Sequence, residues 1–331
     1  MREDILLGLQ IEVEVGEGLP GGSYRLVEPE GDPAVSLARG TRPWCERRRL
    51  LLLLERHGRG NLNVAARTLG GKQWWADVMV HCGWRIQESV QGGRYRLLDP
   101  EDRRRAWGSW AACRVALEEQ RLALNLRPRS SHGVVLVHGL IRSRDSMGAL
   151  ADALEEAGYE VINVNYPSTQ RPIEEHAWQL SHLLDQLREL EVVSFVTHSM
   201  GGIIVRTLLS MEPGAMAWQE RLSLGRVVMI FPPHQGAVRA DRWRNSKLAQ
   251  LVMGPALQEL TPAAAQRLPR PRGHFAIIAG ARDKTVRPNE ALLPGAEYAR
   301  VMDAEHTFGM RDPAIIAAAL RYLNGGSLYD P

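Results

Sequence analysis

Ser199 sits in a run from Val192 to Gly202 that reads Val-Val-Ser-Phe-Val-Thr-His-Ser-Met-Gly-Gly. Val192, Val193, Phe195 and Val196 give the nearly continuous apolar stretch of a short strand buried on both faces. Gly201 and Gly202 let a helix begin almost on top of that strand. Residues 203–210 supply it, apolar at Ile203, Ile204, Val205, Leu208 and Leu209. A serine on such a strand–turn–helix corner has its hydroxyl pushed into the open, with the first helix amides pointing at whatever is bonded to it. The chemistry that suits this spacing is nucleophilic attack, with Ser199 as the nucleophile. Thr197 stands where a glycine would complete Gly-x-Ser-x-Gly. It adds bulk in a tight corner, while Gly201 and Gly202 keep the helix side open. The motif also arises by chance, so its surroundings have to carry the assignment.

Those surroundings alternate regularly. Residues 134–137, 160–164, 192–197, 226–231, 275–279 and 298–302 read as strands. Residues 146–157 read as a helix with Met147, Leu150 and Leu154 on one face and Gly158 as its stop. A second helix spans 173–190, entered at Pro172, with Ile173, Leu180, Leu184 and Leu187 inward. The last spans 312–323, with Asp312 as N-cap and Pro313 at its first position. The pattern predicts the α/β class: a doubly wound, mostly parallel six-stranded sheet, with a smaller N-terminal α+β domain.

The division expected from composition is an accessory domain over 1–128, a linker over 129–133 and the α/β domain over 134–331. Within the first, residues 84–88, 95–98 and 104–107 read as a small antiparallel meander, and 109–124 as a helix capped by Ser109. Residues 45–57 and 61–69 are further helical candidates. The decapeptide 21–30 is echoed by 92–101, which suggests a reused strand with a Gly-Gly turn before it and a Pro stop after it. Trp74, Trp75, Trp84, Trp107 and Trp110 read as a small core filled by large side chains. A sharper alternative is a winged helix, with a third helix through 74–81, a wing ending at Tyr95-Arg96-Leu97, and Arg47, Arg48 and Arg49 toward DNA. Against it, two tryptophans and Asp77 stand where base-reading groups would be wanted.

Composition bounds the rest. The chain has 331 residues, 44% of them apolar and 24% charged, as in ordinary globular proteins. Its net charge of +3 is too small to argue for nucleic acid. Cys45, Cys82 and Cys113 are widely spaced and odd in number, which suggests reduced thiols and a cytoplasmic setting. The N-terminus lacks the pattern of a signal peptide, and the apolar run 50–54 falls far short of the ~20 residues that cross a bilayer. No transmembrane segment, metal site or cofactor is expected. Gly201-Gly202 is too little for a dinucleotide fingerprint.

Residues 133–325 resemble the α/β-hydrolase fold, in the compact form of small bacterial lipases and esterases. Four pieces carry the resemblance: Val137-His138-Gly139-Leu140, Thr197-His198-Ser199-Met200-Gly201-Gly202, Pro232-Pro233-His234-Gln235-Gly236, and His306-Thr307-Phe308. It implies a serine hydrolase with His306 as the base that takes the Ser199 proton. The acid should follow the strand 275–279. Asp283 does, in a stretch similar to the family's Gly-x-x-Asp-x-x-Val pattern, and would hold the His306 tautomer. Asp303 is its rival, and Glu305 is poorly placed to grip the ring. The oxyanion would be held by the backbone amides of Leu140 and Met200. His138, Gly139, His198, Gly201 and His234 are expected to shape the site, each histidine ring hydrogen-bonding loop backbone.

The expected activity is cleavage of carboxylic esters, lipid-like acyl esters first among them, through an acyl-enzyme. Amide or thioester cleavage and acyl transfer would use the same groups. A vestigial hydrolase domain acting as a binding module, with a nucleic-acid-binding N-terminal part, is the reading from another class. Residues 239–271, apolar at Leu248, Leu251, Val252, Met253 and Leu257, could cap the pocket or simply pack on the sheet edge.

Overall fold

The computed structural model describes residues 73–329, apart from 213–215, 244–245, 247–249 and 251, and three strands nearer the N-terminus. Those strands are β1 (Gln10–Glu14), β2 (Ser23–Val27) and β3 (Ala38–Gly40), joined antiparallel in that order. The helical candidates 45–57 and 61–69 lie outside the described residues.

A second antiparallel sheet runs β4 (Trp75–His81), β5 (Trp84–Ser89), β6 (Tyr95–Leu98) and β7 (Arg104–Gly108). The two echoed decapeptides supply β2 and β6, as their shared sequence suggested. Helix α1 (Trp110–Ala123) packs on this sheet, and the Ser109 hydroxyl accepts from the Ala112 amide at 3.2 Å. Residues 75–81 form a strand, so the winged-helix arrangement, which needs a helix there, is not what this sequence builds. The small core holds Met79, Trp84, Ile86, Leu97, Cys113 and Leu117. The tryptophans do not fill it together. Trp84 is buried within it and Trp110 packs at its edge. Trp74 is 54% exposed, and Trp75 lies under the Arg96 guanidinium at 4.2 Å. An aromatic face can cover a buried cation as readily as it fills an apolar core, and Arg96 is 8% exposed.

The larger sheet has six strands, all pairings parallel, in the order β13-β12-β11-β10-β8-β9. They are β8 (His132–Val137), β9 (Glu160–Val164), β10 (Val192–His198), β11 (Ser223–Ile230), β12 (Phe275–Gly280) and β13 (Tyr298–Met302). Helices α2 (Gly148–Glu156) and α5 (Pro313–Leu323) cover one face, where Leu150, Leu154, Ile315 and Tyr322 meet Val134, Leu136, Val196 and Val228. Helices α3 (Ile173–Gln186) and α4 (Met200–Ser210) cover the other, where Leu180, Leu184, Ile203 and Leu208 meet Val135, Val137, Phe195 and Met229. Burial on both faces explains why β8, β10 and β12 read as nearly continuous apolar runs.

The two sheets meet at the end of β9. The Asp77 amide donates to the Asn165 carbonyl at 2.8 Å, and the Asn165 amide donates back to the Asp77 carboxylate at 2.8 Å. Gln179 on α3 donates to the Asp77 carbonyl at 3.1 Å, and Val80 of β4 joins the larger core.

Candidate active site

Strand β10 ends at His198 and helix α4 begins at Met200, so Ser199 alone makes the corner. Its backbone sits at φ 51°, ψ −122°, a conformation that side chains rarely adopt. The Ser199 amide donating to the Ile230 carbonyl at 2.9 Å helps hold it there. The corner also needs Gly201. A Cβ at that position would lie 2.3 Å from the Val137 carbonyl oxygen and 2.7 Å from that of His138, both backbone atoms. Thr197 is fully buried and accommodated, its hydroxyl turned toward the Val228 carbonyl.

The Ser199 hydroxyl lies 2.9 Å from Nε2 of His306, on the loop between β13 and α5. Nδ1 of the same ring lies 2.6 Å from Oδ2 of Asp283, on the loop after β12. The Asp283 side chain is wholly buried and the His306 ring is 13% exposed. Oδ1 of Asp283 accepts the amides of Thr285 and Val286 at 2.7 and 2.8 Å, which fixes the carboxylate plane. With a carboxylate on Nδ1, that nitrogen carries the ring proton and Nε2 presents its lone pair to the hydroxyl. Asp303 points elsewhere. Its side chain is 80% exposed and pairs with Arg282 at 2.7 Å. Glu305 is also exposed and lies 3.8 Å from Arg282.

Two backbone amides lie at this corner, those of Leu140 and Met200. Met200 opens α4, where the first N–H groups have no partner within the helix. Among the described residues neither the Met200 nor the Leu140 amide has an acceptor in the chain. The Leu140 loop lies close against the corner, since a Cβ on Gly139 would fall 3.1 Å from that of Ser199.

Residues 134–319 match the alpha/beta hydrolase family. The chain belongs to that family. None of the curated proteins matches the sequence. Among solved structures, the mature lipase of Bacillus licheniformis is similar at 18% identity and a TM-score of 0.49, over 58% of this chain and 91% of its own. A metagenomic carboxyl esterase is similar at 18% and 0.48, over 59% and 76%. The monoacylglycerol lipase of Paleococcus ferrophilus is similar at 16% and 0.45, over 58% and 94%.

In this alpha/beta hydrolase His138 and His198 serve the loops. His138 donates from Nδ1 to the Gly139 carbonyl at 2.8 Å and stacks on Tyr166, and burial pushes its pKa down to about 4. His198 donates from Nε2 to the His306 carbonyl at 2.9 Å. Burial, with His306 beside it, holds its pKa well below the ordinary value. His234 departs from expectation. Its Nε2 meets the Met229 sulfur at 3.0 Å instead of loop backbone, because the ring is tucked beneath β11. Among the described residues no cluster of His, Cys, Asp or Glu could hold a metal ion, and no helix is long and apolar enough to cross a membrane.

A cavity of about 580 Å³ opens over Ser199 and His306. Much of its lining is apolar, from Ala237, Ala240, Met253, Leu257, Leu260 and Val286, with Arg239 among them. Residues 239–271 therefore contribute to the wall as well as to packing. They include short helices at Ala256–Glu259 and Pro262–Ala265, whereas residues 247–249 and 251, among them Leu248 and Leu251, lie outside the described residues. Sequence reasoning missed Ile141, at φ 61°, whose amide donates to the Ser168 hydroxyl at 3.0 Å. Nothing in the spacing of those two residues signals their meeting.

Proposed function

We propose that this chain hydrolyses carboxylic esters with apolar acyl groups, through an acyl-enzyme on Ser199. The reading rests above all on the continuous hydrogen-bonded series Ser199–His306–Asp283, with separations of 2.9 and 2.6 Å. The Ser199 oxygen attacks the ester carbonyl while its proton passes to Nε2 of His306. Asp283 holds the ring and stabilises the imidazolium. The negative oxygen of the tetrahedral intermediate accepts the Leu140 and Met200 amides. The imidazolium then protonates the departing alcohol, and a water activated by the same ring releases the acid. The apolar wall from Met253, Leu257 and Leu260 favours an acyl chain over a polar group.

The experiment is a chain-length series of 4-nitrophenyl acyl esters on the full chain, with inhibition by a serine-directed phosphonate. Turnover that rises from acetate toward longer acyl groups, with phosphonate bound at Ser199, supports the reading. No turnover of any ester, with no labelling, contradicts it.

A further inference from the structure

Gln73 lies just before β4, outside the stretch shared with the family, yet its carboxamide reaches the loop that carries Leu140. Its Nε2 donates to the Arg142 carbonyl at 2.6 Å. Its Oε1 accepts from the Ser168 hydroxyl, the Thr169 amide and the Thr169 hydroxyl, each at 3.2 Å. Three donors on one atom and a carbonyl facing the other fix which end of the amide is which. Ser168 in turn accepts the Ile141 amide at 3.0 Å. The loop is therefore gripped at two points, the N–H of Ile141 and the C=O of Arg142.

That grip has work to do. Ile141 is β-branched and sits at φ 61°, a region such residues avoid, so its conformation must be held by contacts from outside the loop. Leu140 is the next residue back along the chain, and its amide has no acceptor among the described residues. That N–H shares a peptide plane with the Gly139 carbonyl, which accepts from His138 Nδ1 at 2.8 Å and from the Arg142 amide at 3.3 Å, while Ser168 and Gln73 hold the Ile141 N–H and the Arg142 C=O that follow and so fix where Arg142 sits.

We propose that Gln73 is a positioning residue, supplied by the N-terminal segment, that keeps the Leu140 amide aimed at the developing oxyanion. The proposal rests on the esterase reading above. An oxyanion donor acts on the transition state far more than on the bound ester, so its misplacement lowers kcat and leaves KM nearly alone.

The test uses the full-length protein with Gln73→Ala, Gln73→Glu and Ser199→Ala. Glutamate keeps the shape and the acceptor oxygen but brings a second oxygen against the Arg142 carbonyl, where a donor is needed. The measurements are kcat per phosphonate-titrated site and KM for 4-nitrophenyl butyrate, and Ki for a trifluoromethyl ketone, whose serine adduct carries an oxyanion. Losing a whole oxyanion donor costs about 10²–10³ in rate, and misplacing one is expected to cost about 10–100-fold. Both Gln73 variants are expected to show that loss in kcat, a KM within about threefold, and a Ki raised in step with the fall in kcat/KM. Should Gln73→Ala fail to fold, Gln73→Glu is judged by the same criteria. Wild-type kcat and Ki in Gln73→Glu, or a kcat loss that Ki does not follow, overturns the role of Gln73 even if Ser199→Ala is inactive. Full activity in Ser199→Ala overturns the esterase reading itself, and the proposal with it.

Discussion

Arg85 donates to Asp77 across 2.6 Å, and the two side chains are 4% and 0% exposed. The same carboxylate accepts from Gln87 at 2.7 Å and from the Asn165 amide at 2.8 Å, so one buried acid ties β4 and β5 to the end of β9. Removing one partner of a buried pair leaves the other charge without water or counter-ion. Asp77→Ala is expected to destabilise the protein by about 3–5 kcal/mol. Replacing both partners with apolar side chains, as in Asp77→Leu with Arg85→Met, is expected to recover the part of that loss due to the unpaired Arg85 charge, while Gln87 and the Asn165 amide still lack their acceptor. Urea unfolding measures both. A single-variant cost below about 1 kcal/mol contradicts the account.

Asp283 and Asp303 give a cleaner contrast for the chemistry. Asp283 holds Nδ1 of His306 at 2.6 Å, whereas Asp303 pairs with Arg282 in solvent. Asp283→Asn is expected to lower kcat by about 10³–10⁴, because the amide can favour the wrong tautomer of the ring. Asp303→Asn is expected to stay within about twofold of wild type. Steady-state rates on one ester decide it. Similar losses in both variants contradict the assignment.

Four buried histidines predict an acid-sensitive fold. Burial lowers the pKa of His138 to about 4 and those of His176 and His234 to about 3, and holds that of His198 well down. Between those values and the ordinary 6.5 the unfolded chain binds more protons than the folded one, so stability falls as pH drops through the window. Melting temperature is expected to decline steadily from about pH 6.5 toward pH 4. His176 is buried, and its neighbours His138 and Arg171 add to the depression. His176→Phe is expected to keep the aromatic contact with Tyr166 and flatten the pH profile. An unchanged slope in that variant contradicts the assignment.

Much of this was legible in the residues. β8, β10 and β12 are apolar runs because both their faces are covered, and burial of that kind writes itself into sequence. The corner at Ser199 is written in a strand, two glycines and a helix, all within one short stretch. β4 was harder to read. Asp77 is buried by its ion pair, so the polar residue that would mark an outward face marks an inward one, and adjacent tryptophans obscure the alternation. His234 was expected to bond backbone, and no local pattern announces a sulfur neighbour five positions earlier. Gln73 meets Arg142 across 69 positions of sequence. Such a contact follows from how two sheets dock, which short-range spacing does not encode.

The most direct test is the burst of 4-nitrophenol when the full-length protein meets excess 4-nitrophenyl butyrate, compared with Ser199→Ala. An acyl-enzyme on Ser199 predicts turnover that a serine-directed phosphonate abolishes, its mass found on the peptide carrying Ser199, and a loss of about 10⁴–10⁶ in kcat in the variant. Wild-type turnover in Ser199→Ala, or phosphonate bound at another residue with full inhibition, would contradict it.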